Sequence, residues 1–144
     1  MKKLSNEQLA FFLARVILGL NFFMHGLVRI PKLQEFASST TEDFESTYLP
    51  EFLVSGFAYA LSFIEFSIGL LLIIGLKTRF FLAIAAVLIM LLLFGSGIKE
   101  DWSAAGTQMV YALFIYFLIK NLKDNALAID SKSRKTINGF TTKQ

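Results

Sequence analysis

FFLAIAAVLIMLLLFGSG, residues Phe80 to Gly97, carries no charged side chain in 18 positions. The hydrocarbon core of a bilayer is about 30 Å thick and is crossed by about 20 apolar helical residues, so this run has the length and polarity of a membrane span. A helix is the one element that satisfies all its backbone polar groups by itself in that medium. Reading outward from it, the span extends to Ile98, and three more apolar stretches of comparable length run from Leu9 to Val28, Phe52 to Leu76 and Trp102 to Ile119. The sequence therefore predicts an all-α polytopic membrane protein built as a bundle of four transmembrane helices.

Composition agrees with that reading. With 144 residues, 55% of them hydrophobic and 16 of them Phe, the chain is too apolar for an ordinary soluble domain. The net charge of +3 does not call for nucleic acid, because the basic residues fall where membrane topology puts them. Membrane lipid is the expected surrounding, and no nucleic-acid partner is expected. The absence of Cys excludes thiolate-held iron–sulfur clusters and dithiol relays, and the single His excludes bis-histidine haem ligation by one copy. No haem, flavin or metal is expected to be held by this chain alone. A secretory signal at the N-terminus fits poorly, because Arg15 interrupts the apolar run and no small-residue cleavage site follows.

The charges between spans give an orientation. Lys2 and Lys3, then Lys77 and Arg79, then Lys120, Lys123, Lys132, Arg134, Lys135 and Lys143 fall on one side; the other side is mainly acidic, with Glu35, Glu42, Asp43, Glu45, Glu51, Glu100 and Asp101. The positive-inside rule then places both termini in the cytoplasm, as for a multi-pass protein of a bacterial inner membrane. Two regions follow: a transmembrane domain over residues 1–122 and a basic cytoplasmic tail over 123–144 expected to be disordered. In the first outer loop Pro31 is expected to end the first span. "TTEDFESTYLPEF" reads as a capped short helix lying on the outer surface, with Phe44 and Tyr48 on one face.

The first span is unusual in carrying Arg15, Asn21, His25 and Arg29. At 100° per residue these share a sector of about 160° with Leu18, Gly19, Phe22 and Gly26. A charge at the bilayer centre costs at least about 2.5–3.5 kcal/mol, so this face is expected to turn inward. The second span offers a matching face of about 120°, made of Ser55, Ala58, Tyr59, Ser62, Glu65 and Gly69. Depth counting pairs Arg15 with Glu65, either to fix helix register or to serve chemistry. Toward the outer side, Asn21, His25, Arg29, Tyr59, Gln108 and Tyr111 are expected to line a ligand pocket. Simpler roles stand beside that one: Arg29 snorkelling to the interface, and His25 bonding to Asn21 one turn earlier. No residue is assigned as catalytic.

The segment "R-x-x-LG-x-x-F" from Arg15 to Phe22, the following "HG-x-x-R", and the run from Glu65 through "GLLLIIGLKTRFFLA" resemble the DoxX family of small four-helix membrane proteins. The resemblance extends from Leu9 to Leu122. It implies a subunit associated with thiosulfate:quinone oxidoreductase or terminal quinol oxidase, with quinone as the cofactor and one or more partner subunits in a membrane complex. The pocket would then take quinone or a small oxyanion such as thiosulfate, His25, Gln108 and Arg29 supplying hydrogen bonds and proton exchange. The electron donor would come from a partner. A non-enzymatic accessory or assembly subunit and a small transporter or lipid-binding protein remain open, as does whether the chain is itself an enzyme. Small residues on the second and fourth spans permit a homo-oligomer without requiring one.

Overall fold

In the computed structural model, which describes residues 4–131, the chain is all helical. Among the described residues, five α-helices follow in the order α1 (Asn6–Arg29), α2 (Leu33–Asp43), α3 (Glu51–Ile74), α4 (Thr78–Ile98) and α5 (Trp102–Lys120). α1, α3, α4 and α5 are each long and apolar enough to cross a membrane. The protein is a multi-pass membrane protein. Its exposed Ile17, Met90, Phe94 and Val110 are what a lipid-facing exterior requires.

Sequence chemistry sets the ends of these helices. Ser5 opens α1 with a capping box, its hydroxyl accepting from the Gln8 N–H while Gln8 reaches back to the Ser5 N–H. Gly75, at φ +70°, closes α3 in the left-handed conformation that glycine adopts without strain. Asp101 caps α5 by accepting from the Ala104 N–H at 3.0 Å.

α1 and α3 pack along a seam of small residues. Gly26 lies against the Ser62 and Phe66 backbone, and Gly69 against that of Phe23; a Cβ at Gly69 would fall 2.1 Å from the Phe23 nitrogen. The small and polar faces read on the two spans do meet. The core is completed by Leu18 and Phe22 of α1, Leu61, Ile68 and Leu72 of α3, Leu82, Ala85, Leu88 and Ile89 of α4, and Ile115 and Leu118 of α5.

Two expectations fail. The short helix of the first loop is α2, which ends at Asp43, before Phe44 and Tyr48. Pro31 stands within a short 3₁₀ turn, Ile30–Lys32, that leads from α1 into α2, a position that needs no proline N–H. Thr40 and Thr41 donate to the Phe36 and Ala37 carbonyls, so "TTED" finishes a helix rather than starting one. Tyr48 is exposed, while the Phe44 ring packs beside Gly95 under Lys99.

The second concerns the tail expected to be disordered from 123 onward. Residues 123–131 fold back onto the bundle, and residues 132–144 lie outside those described. Asp130 caps α4 from a distance in sequence: its two carboxylate oxygens accept the Lys77 and Thr78 N–H groups, both at 2.7 Å. Asn125 donates to Thr78 Oγ1 at 2.9 Å, and Ala128 is buried. Lys77 at the α4 N-cap has no side-chain oxygen of its own, which is why an acceptor from elsewhere is needed.

Candidate functional site

The two arginines of α1 have separate environments. Arg29 Nη1 donates to Glu65 Oε2, and its guanidinium stacks 4.5 Å from the centre of the Phe36 ring. Glu65 is nearly fully buried near the middle of α3. Arg15 is buried at the other end of the seam, where its Nη2 donates to the Leu127 carbonyl at 2.6 Å beside Gly75. The expected Arg15–Glu65 pair is therefore replaced by Arg29–Glu65.

The reason is register. Arg15 and Arg29 are 14 residues apart, close to four turns, so both fall on the same face and periodicity cannot choose between them. They are separated by about 21 Å along the axis at 1.5 Å per residue. The glycine contacts fix an antiparallel register that brings Gly26 to Ser62 and Phe66, and hence Arg29 to Glu65 and Arg15 to Gly75. α1 extends past the α3–α4 turn at its N-terminal end and continues into α2 at the other. Centring it on its apolar run misjudged the depth of both arginines.

Around the Arg29–Glu65 pair lies a cavity of about 290 Å³ between α1 and α5, floored by α3 and α4. Asn21, His25, Arg29, Gln108 and Tyr111 line it together with Glu65, Thr107, Ile89 and Leu92. Five of the six pocket residues named from sequence thus come together. Tyr59 does not: it is exposed on α3 and absent from the lining. Glu65, assigned to a pair with Arg15, is the member the pocket reading missed. Its signal was present, since a carboxyl in a membrane span faces a partner or a wet cavity.

The polar atoms are specifically held. His25 Nδ1 lies 2.8 Å from the Asn21 carbonyl oxygen, which can only accept, so Nδ1 donates, and in the neutral form of the ring Nε2 is left as an acceptor. This is the bond one turn back that the sequence allowed, made to the backbone of Asn21. The Asn21 amide donates to the Tyr111 hydroxyl at 3.3 Å, joining α1 to α5 and leaving the phenolic proton free to donate elsewhere. Gln108 Nε2 donates to Ser96 Oγ at 2.8 Å, while its buried Oε1 has no hydrogen-bond partner among the described residues.

A profile of the DoxX family matches residues 10–97. The chain belongs to the DoxX family. No curated protein and no solved structure matches it. In this DoxX protein the matched region runs through α1, α3 and nearly all of α4. It contains Asn21, His25, Arg29 and Glu65, whereas Gln108 and Tyr111 belong to α5 beyond it. The α1–α3 seam and its ion pair are thus within the family region, and the far wall of the cavity is not.

A second cavity of about 250 Å³ adjoins the first, sharing Leu92 and Gln108. Its walls are mostly apolar, including Leu49, Val54, Phe57 and Phe94. Phe44 roofs it, and Lys99 above that ring is tied to Asp43 at 3.0 Å.

Proposed function

We propose that this DoxX protein is an integral-membrane subunit of a quinone-linked oxidoreductase, with the cavity between α1 and α5 as its quinone site. The observation that carries the reading is His25 Nε2, held as an acceptor beside the Arg29–Glu65 pair in a chamber that also holds Tyr111 and Gln108. A bound quinone supplies two-electron, two-proton chemistry at its ring oxygens. His25 can take or return a proton there, Tyr111 can donate to a carbonyl, and Gln108 Oε1 can accept from a hydroxyl. The electrons come from a partner subunit.

Charge separates the two ligands that the sequence left open. Glu65 already neutralises Arg29, so among the described residues the lining offers no uncompensated Lys or Arg to hold an oxyanion such as thiosulfate. A neutral carbonyl ligand fits better. The adjoining apolar cavity gives a ligand bound by its ring a place for an apolar tail, and the joined volume reaches the range usual for small-molecule sites, about 300–1,000 Å³. Orientation belongs to the same proposal: both termini in the cytoplasm of a bacterial inner membrane put the cavity toward the outer leaflet.

An accessory or assembly role is the second reading. The Arg29–Glu65 pair favours it taken alone, because a satisfied buried pair fixes helix register without any ligand.

Titration of the purified protein with a tail-less quinone analogue tests the first reading. The parent is expected to bind it, His25→Ala to bind at least ~10-fold more weakly, the order set by loss of one hydrogen-bond partner, and thiosulfate not to compete. Unchanged affinity in a folded His25→Ala variant removes the quinone site and leaves the accessory role.

A further inference from the structure

A further cavity lies at the opposite end of the bundle, where the α3–α4 turn meets the segment after α5. It measures about 710 Å³. Among the described residues, Lys77, Arg79 and Lys123 line it against a single carboxylate, that of Asp130, and both oxygens of that carboxylate already accept backbone N–H groups. The other wall is apolar, made by Phe80, Ala83 and Leu122. Lys77, Arg79 and Lys123 are exposed, as is Phe80. The turn and the end of α5 both mark where spans leave the hydrocarbon, so cations and apolar wall meet at the membrane–water boundary.

We infer that this cavity binds the headgroup of an anionic phospholipid, its phosphate held by Lys77, Arg79 and Lys123 and the start of its acyl chains lying along Phe80, Ala83 and Leu122. Three cations against one committed carboxylate give the described part of the site an excess of positive charge. Each basic residue at such a surface contributes about 1 kcal/mol toward anionic lipid. A zwitterionic headgroup gains little there, because its own ammonium meets the same cations. The fold supports the chamber from beneath: Asp130 and Asn125 tie the post-α5 segment to Lys77 and Thr78, so the wall bearing Lys123 and the wall bearing Arg79 are held together. The site is independent of the quinone cavity and shares no residue with it.

The test is native mass spectrometry of the full chain released from mixed phosphatidylglycerol and phosphatidylcholine nanodiscs. The parent is expected to retain phosphatidylglycerol at least ~10-fold over phosphatidylcholine at equal supply, in line with the per-residue attraction summed over the three cations. Arg79→Gln with Lys123→Gln should cut the preference at least ~10-fold, two of the three attractions being removed, while helical content by circular dichroism stays unchanged; both side chains are exposed and neither caps a helix. Lys32→Gln, at the other end of the bundle, should keep it. Millimolar inorganic phosphate should not displace the lipid. Equal retention of the two lipids by the parent, or a preference that the double substitution leaves undiminished, overturns the inference. Displacement by inorganic phosphate overturns it as well, by making the cavity a site for the free ion.

Discussion

Arg29 donates to Glu65 near the middle of α3, where both groups have left most of their water behind. Removing one member of a buried pair strands the other charge and costs about 3–5 kcal/mol. Arg29→Ala and Glu65→Ala are each expected to destabilise by that order in detergent unfolding, with the double variant recovering part of the loss. Arg15→Ala combined with Glu65→Ala should instead add within about 0.3–0.5 kcal/mol, because the two do not touch. Coupling of Arg15 to Glu65 as strong as that of Arg29 would contradict the register described. At this scale the sequence showed which face is polar, since helical period fixes the direction of each side chain. It did not show depth, because Arg15 and Arg29 share that face and only the packing of Gly26 and Gly69 against the partner backbone decides which one meets Glu65.

Helices α1 and α3 approach so closely that their contact tolerates no side chain at its tightest points. In lipid no hydrophobic force drives helices together, so close backbone packing is a main source of association. Gly69→Ala is expected to cost about 1–3 kcal/mol, the usual range for overpacking, since the new methyl meets the Phe23 backbone rather than a movable side chain. Gly56→Ala on the same helix has open space around it and should be neutral or stabilising by up to about 1 kcal/mol. Chemical or thermal unfolding of both variants in one detergent makes the comparison, and equal stability would contradict the seam. The four spans were legible because apolar runs bounded by Pro50, Gly75, the Lys77–Arg79 turn and Asp101 leave few choices. α2 was misplaced because Ser and Thr hydroxyls serve helix starts and, by bonding back to the fourth carbonyl before them, helix ends as well.

Across the whole molecule the charged end of the bundle is closed by a contact that spans 52 residues, Asp130 to Thr78. Nothing local announces such a contact, and a polar segment such as the one around Asp130 reads as tail until the uncapped start of α4 is noticed. The positive-inside rule assigns this end to the cytoplasm. Cysteines placed at Ser39 and Ser103 should then react with a membrane-impermeant thiol reagent in intact cells, and one at Ser133 should not. Reversed labelling would invert the protein in its membrane and put the α1–α5 cavity toward the inner leaflet.

The central claim is that a quinone ring sits between α1 and α5 beside the Arg29–Glu65 pair. Photolabelling with a quinone analogue that carries its reactive group on the ring, followed by peptide mapping, tests this most directly. The account predicts label within residues 21–29 of α1 and 104–111 of α5, lost when unlabelled analogue is added in excess. Label confined to lipid-facing positions such as Ile17, Met90 and Leu113, and insensitive to competitor, would contradict it.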